Sequence, residues 1–313
     1  MRKTTVIPAH PTLTEKNLPD QSGKVFLVTG GNSGVGKALC GILYSHNAKI
    51  YIATRSRQRA EEAIAEIRAA YPSSRGQLIF LSLQLDDLTT IAATAREFLS
   101  LESRLDVLWA NAGVMQPPQG SQSKQGYELQ LGTNVLGHFL LTELLKPVLV
   151  RTAQTPGVPL GSVRVVIVAS AAADEAPKPA IQFDNMDYHR PEPVETQYRR
   201  SKAGQTLHAL EAARRWEKDG VLVVAMHPGF LVTNLQQNFT PFMGAFFKCI
   251  ASDAIKGAYT ELFAGLDKSI TMQHKGCWIA PYGKIEAARK DLQDPELAHQ
   301  YWAWMEEQVQ PYR

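Results

Sequence analysis

The chain has 313 residues, 44% of them hydrophobic and 20% charged, with a formal net charge of +3. These values describe a globular chain able to bury a large core and exclude disordered and collagen-like classes. No Lys/Arg run dominates any segment, which argues against nucleic acid or an anionic membrane as partner and in favour of a small molecule.

In chain order, residues 1–22 read as an N-terminal extension without the apolar run of a signal peptide. No later segment reaches about 18 uncharged apolar residues, so no membrane span and a cytoplasmic location are expected. Short β-branched runs then alternate with helical patterns: KVFLVTG from Lys24, KIYIAT from Lys49, LIFLSL from Leu78, LDVLWANAG from Leu105, VRVVIVAS from Val163, VLVVAMHPG from Val221 and CWIAP from Cys277. Continuous apolar runs of this kind suit strands covered on both faces. Between them lie apolar spacings of three and four, as in Val35, Leu39, Ile42 and Leu43, or Ile64 and Ile67, which suit amphipathic helices. The order predicts an α/β, doubly wound fold: a single mostly parallel seven-stranded sheet with helices on both faces, in one domain over 1–313. Cys40, Cys249 and Cys277 are odd in number and lack metal-ligand spacing, so neither a disulfide framework nor a metal site is expected.

The first strand runs directly into TGGNSGVG, Thr29 to Gly36, with Gly30, Gly34 and Gly36 just ahead of a helical pattern. Glycines let a backbone turn tightly and approach a pyrophosphate, whose charge is met by free N–H groups and the positive end of the helix dipole. A dinucleotide site is therefore expected there. Further on, TQYRRSKAG places Tyr198 four residues before Lys202. In a helix these two share one face while Arg199 and Arg200 point elsewhere. The irregular stretch preceding it, from Ala171, is long enough to suggest a functional loop.

TGGNSGVG, NAG at Asn111 to Gly113, NVLGHF from Asn134, Ser170, YRRSK and HPG at His227 to Gly229 occur in that order. In this the chain resembles the short-chain dehydrogenase/reductase family over roughly Gly23 to the C-terminus. LGTNVLGHFLLTELL, the spacing from Ser170 to Tyr198 and PELAHQYWAWMEEQV make it most similar to the retinol dehydrogenase and WW-domain oxidoreductase branch, with its fungal relatives. The resemblance implies a Rossmann fold and a catalytic tetrad of Asn134, Ser170, Tyr198 and Lys202. It also implies a cofactor-binding set of Gly30, Asn32, Ser33, Gly34, Val35, Gly36, Arg55, Gln84, Leu85, Asn111, Ala112, Gly113, Tyr198, Lys202, Pro228, Gly229 and Thr233. In reduction Tyr198 would donate a proton to the substrate oxygen, with Ser170 bonded to that oxygen, Lys202 holding the nicotinamide ribose and Asn134 anchoring a water that feeds protons toward Lys202. A phenol titrates near 10 unperturbed, and a cation ~5 Å away at an effective dielectric of ~20 favours the phenolate by ~3 kcal/mol, which would bring Tyr198 toward neutrality.

Cofactor preference is read at the end of the second strand, ATRSRQR. Thr54 brings no carboxylate to repel a 2′-phosphate and Arg55 offers a planar donor fork for one, so NADP(H) is favoured, the bland reading being a solvated arginine opening a helix. After the third strand the adenine-contacting position reads Gln84, with Asp86 or Asp87 as alternatives. His138, His208, His227, Trp302 and Trp304 are expected to pack. Residues 171–197 and the apolar 230–250 are expected to line the substrate pocket, the latter closing as a lid over a moderately lipophilic carbonyl compound or, in reverse, its alcohol. Reduction of an activated C=C or imine bond, and a catalytically silent dinucleotide-sensing protein, are the alternatives. The resemblance further allows a homodimer pairing the helices of Asn134 and Tyr198.

Overall fold

The computed structural model describes residues 10–229 and 253–313. All seven expected strands form: β1 Val25–Thr29, β2 Lys49–Thr54, β3 Gln77–Ser82, β4 Val107–Ala110, β5 Arg164–Val168, β6 Leu222–Met226 and β7 Trp278–Ala280. An eighth, β8 Lys284–Glu286, corrects the expected count of seven. It pairs antiparallel with β7, Trp278 opposite Glu286 and Ala280 opposite Lys284, and ends a sheet ordered β3-β2-β1-β4-β5-β6-β7-β8. Every other pairing is parallel. The three residues of β8, Lys-Ile-Glu, carry no buried apolar run, so nothing in the hydrophobic pattern marks them.

The helices are α1 Gly34–Ser45, α2 Arg57–Ala70, α3 Leu88–Leu101, α4 His138–Ala153, α5 Val194–Trp216, α6 Ala254–Leu266 and α7 Pro295–Val309. Since α5 starts at Val194, the expected irregular stretch 171–197 gives up its last four residues to the helix. Alternate strand residues face opposite ways, which divides the core into two layers. Phe26, Val28, Ile50 and Ile52 pack with Leu39 of α1, Ile64 of α2 and Leu262 of α6. Leu27, Tyr51, Leu108 and Val165 pack with Phe98 of α3, Phe139 of α4, Leu207 of α5 and Trp302 of α7. Leu13 and Leu18 are buried in the first layer, so part of the N-terminal extension belongs to the core.

The strand order reverses between β1 and β4, which opens a crevice at their carboxyl ends, where doubly wound sheets take their ligands. On the opposite layer α7 lies across α4 and α5. Trp302 meets Phe139 edge-on, ring centres 4.8 Å apart, and also contacts His208, which is buried as expected of a packing residue. Tyr301 presses against the backbone of α5 at Gly204, where a Cβ would have no room.

One buried group sets a pH dependence. Glu261 on α6 is fully buried, and neither carboxylate oxygen has a hydrogen-bond partner among the described residues. Burial pushes its carboxyl up to about 8 from an ordinary 4.5. Between those values the folded chain holds a proton that the unfolded chain has released, so this group's contribution to stability falls as pH rises through that window. Glu261→Gln removes the titration. Its melting temperature minus that of the parent should increase by several degrees from about pH 5 to about pH 8 in calorimetry, and a constant difference would show that Glu261 ionises freely.

Candidate active site

A cleft of about 850 Å³ opens at the crevice. Gly30, Asn32, Ser33, Gly34, Val35 and Gly36 of the β1–α1 turn form one wall, and Asn111, Ala112 and Gly113 after β4 form another. The two are laced together: Asn111 Nδ2 donates to Thr29 O at 2.7 Å and the Ala112 N–H donates to Thr29 Oγ1 at 2.8 Å. Only glycine fits at position 36, since a Cβ there would sit 2.5 Å from Asn111 Nδ2 and 2.8 Å from Gly30 O. The first turn of α1 has neither a side-chain cap at Ser33 nor an acidic residue. Its leading N–H groups therefore face the cleft as anion donors. Residues and cavity together fit a dinucleotide pyrophosphate.

Arg55, exposed, lines the rim with Thr54, Ser56 and Arg59. Among the described residues it forms no ion pair, whereas its neighbour Arg57 is held by Glu61 at 3.4 Å and lies over the Phe80 ring. Leu83, Leu85 and Asp86 line the cleft and Gln84 does not. Of the two alternatives left open above, Asp86 lines the cleft, whereas Asp87 caps α3 by accepting from the Thr89 N–H.

Asn134 lies in a π-helical segment, Leu131–Gly137, that leads into α4. Its side chain is fully engaged: Nδ2 donates to Val114 O at 3.0 Å and Ser201 Oγ at 3.1 Å, and Oδ1 accepts from the Val114 N–H at 2.8 Å. It thus ties the strand-β4 loop to α5. The Asn134 main-chain carbonyl lies 3.2 Å from His138 Nδ1, and Thr29 Oγ1 lies 2.9 Å from His138 Nε2. Burial draws His138 down to about 4, leaving it neutral. A carbonyl only accepts, so Nδ1 carries the proton and Nε2 accepts from the threonine hydroxyl.

Ser170 follows β5 and accepts from the Ala172 N–H at 3.2 Å. Its side chain is near enough to the Tyr198 phenol to favour the phenolate. On α5, Tyr198 and Lys202 share a face as expected, Lys202 Nζ lying 5.7 Å from the Tyr198 ring centre. A Cβ on Gly113 would be 3.8 Å from that ammonium, which places it beneath the cleft floor. Burial pushes Tyr198 up to about 12 and draws Lys202 down to about 7. This corrects the expectation that Lys202 brings Tyr198 toward neutrality. A Coulomb attraction taken alone omits the desolvation of both groups, and here desolvation dominates.

The sequence reading passed over Gln205, whose Oε1 accepts from Lys202 Nζ at 2.7 Å while Val168 O accepts at 3.1 Å. The signal was available, because residue i+3 shares the helical face of residue i. Pro228 and Gly229 follow β6, Gly229 with φ of +101°. They do not line the cleft as described, and Thr233 and the expected lid, 230–250, lie outside the described residues. The arginines between Tyr198 and Lys202 serve the preceding loop. Arg199 pairs with Glu195 and Glu175. Arg200, buried, grips Glu192 with two bonds of 2.6 and 2.7 Å and donates to Pro179 O at 2.6 Å and Ala180 O at 3.1 Å. From the C-terminal side Arg289 donates to Asp174 O at 2.9 Å and Ala176 O at 2.6 Å.

A family model described as short chain dehydrogenase matches residues 24–183. The short-chain dehydrogenase/reductase pkfC of Emericella nidulans is 49% identical over 306 residues, covering 96% of this chain and 97% of that protein. A short-chain dehydrogenase/reductase of Phomopsis amygdali is 44% identical over 324 residues, with 98% and 96% covered. Among solved structures, an uncharacterised protein from Mycobacterium paratuberculosis superposes with a TM-score of 0.71 at 26% identity, over 95% of this chain and 97% of that one. An NADPH-bound carbonyl reductase from chicken fatty liver shares the fold, with a TM-score of 0.64 at 20% identity over 87% and 100%.

The grip of Arg200 on the loop is testable. Arg200→Met leaves the Glu192 carboxylate and two carbonyls without their donor. Breaking a buried pair costs ~3–5 kcal/mol, so the melting temperature should drop by on the order of 10 °C and chymotrypsin should cleave within 176–193 faster than in the parent. Unchanged melting and cleavage would mean that the loop is held by other contacts.

Proposed function

The chain belongs to the short-chain dehydrogenase family, and from that premise we propose that it is an NADP(H)-dependent oxidoreductase that interconverts a carbonyl and an alcohol on a moderately lipophilic small molecule. The observation that carries this reading is the position of the Lys202 ammonium beneath Gly113 of the cleft lining, 5.7 Å from the centre of the Tyr198 ring, with Ser170 near the phenol. A binding protein that only senses a dinucleotide has no use for that trio.

The bound cofactor would supply or accept the hydride, and the remaining steps fall to groups of this chain. Burial keeps Tyr198 a phenol throughout the neutral range, so it holds the proton that a reduced carbonyl oxygen needs. Ser170 adds a second donor to the oxygen on which charge develops. Lys202 stabilises the phenolate that remains after the proton has left. Asn134, locked to Val114 and Ser201, keeps the loop carrying Gly113 in register with α5. The same residues run the alcohol oxidation, which requires the phenolate and should therefore accelerate as pH rises. Arg55 supports the phosphorylated cofactor as a free guanidinium on the rim. A homodimer that paired α4 and α5 across subunits would have to displace α7, so we propose that these helices take no part in assembly.

NADPH consumption measured with phenanthrenequinone and a panel of aryl ketones tests the reading. With an accepted probe, Tyr198→Phe should lower turnover at least ~100-fold with NADPH affinity nearly unchanged, because only the proton donor is lost. Retained turnover removes Tyr198 from the chemistry. Arg55→Leu should weaken NADPH ~10- to 100-fold and leave NADH nearly unaffected, the loss of one charge-assisted contact. Calorimetric titration of both cofactors decides this, and equal losses would make Arg55 scaffold.

A further inference from the structure

We propose that Gln205 is a positioning residue for Lys202: its amide oxygen, together with the Val168 carbonyl, fixes the ammonium at the cleft floor and keeps it charged. The proposal rests on Tyr198 and Lys202 being the reacting pair. Gln205 is buried, and its Oε1 lies 2.7 Å from Lys202 Nζ. The assignment of oxygen rather than nitrogen follows from chemistry, since an ammonium has only donors and would repel the NH₂ end. The other end, Nε2, is buried without a partner among the described residues. A half-satisfied buried amide is less stable than an apolar residue of the same shape. That cost is explained if the oxygen has a task that an apolar residue cannot perform.

No competing charge accounts for the ammonium's placement. The titratable groups turned toward it are Tyr198 on its own helix and His138 from α4, which is neutral. From β5 it meets only the Val168 carbonyl, and β6 is apolar. The carboxylates of the neighbouring loop, Glu175 and Glu192, are taken by Arg199 and Arg200, while His299 of α7 pairs with Glu211 farther along α5. Burial draws Lys202 down to about 7, so near neutrality each oxygen that accepts from it shifts the fraction charged. The backbone that carries Gln205 is clamped by Tyr301 against Gly204.

The test is the pH dependence of NADPH affinity in the full chain, read by cofactor fluorescence in the parent, Gln205→Met, Gln205→Glu and Lys202→Met. An ammonium beneath the cleft floor attracts the polyanionic cofactor, and that attraction is lost as pH rises through the lysine's titration. Methionine keeps the volume without a comparable acceptor, so the alkaline loss of affinity should begin about one pH unit earlier than in the parent. Glutamate keeps the acceptor and adds charge, so the loss should begin about one unit later. Lys202→Met should abolish the transition. Shifts in opposite directions are not what a purely packing role produces. Identical midpoints in the parent and both Gln205 variants, with Lys202→Met still abolishing the transition, overturn the role of Gln205 and leave the tyrosine–lysine reading intact. A parent profile that Lys202→Met does not change overturns both. Should Gln205→Met fail to fold, an unshifted midpoint in Gln205→Glu overturns the proposal by itself.

Discussion

An ammonium withdrawn from water loses several kcal/mol of hydration unless protein oxygens replace it, and Lys202 finds two: the last carbonyl of β5 and the amide of Gln205. Much of the candidate site is arranged around that desolvated cation. It must come from α5, because only a helix crossing the carboxyl end of β5 can present a side chain to Val168 and to the cleft floor at once. It passes beneath Gly113, where an added Cβ would meet the ammonium at ordinary contact distance but press on Asn134 Oδ1 at 3.2 Å. Asn134 in turn can bond both Val114 and Ser201 only from the widened π-helical turn that precedes α4.

The same economy governs the arginines beside Lys202. A helix with consecutive cations next to a buried one would repel it, were those cations not matched. Arg199 and Arg200 are turned away from Lys202 onto Glu175, Glu195 and Glu192, which converts a local excess of positive charge into the anchor of the loop that follows Ser170. Arg289 holds the start of that loop through two main-chain carbonyls. Ser170 and Tyr198 belong to elements separated by that loop, and they are held near each other across an intervening chain that is tied at both ends.

What could be read from the sequence divides along physical lines. β1 to β7 were legible because strands buried on both faces leave continuous apolar runs, whereas β8, with a lysine and a glutamate flanking one isoleucine, leaves none. Tyr198 and Lys202 were legible as a pair because helical spacing alone brings i and i+4 together. Their titration was not, since it depends on how much water each group loses, a property of packing among α4, α5 and β5 that no spacing encodes. The position of Gln84 off the cleft lining was not legible either: beyond Ser82 the chain leaves the sheet, and which of its residues turn inward depends on where the strand ends, to the residue. Gln205 carried the right spacing but no family motif, and a polar residue in a helix is ordinarily solvated.

The charges around the cleft are matched to different degrees. Lys37 and Glu66 both line the cleft, and they neutralise each other. Glu62 lines it as well, accepting from Gln58, and would repel a phosphate that came close. Against it stand Arg55 and Arg59, neither of which has an ion-pair partner among the described residues. Arg59 donates its backbone N–H to Ser56, the cap of α2, so its side chain starts from the first helical turn, while Arg55 starts from the residue after β2 ends, between strand and helix. The charged residues lining the cleft thus balance, Lys37, Arg55 and Arg59 against Glu62, Glu66 and Asp86, and what distinguishes Arg55 is its place between β2 and α2 without an ion-pair partner among the described residues.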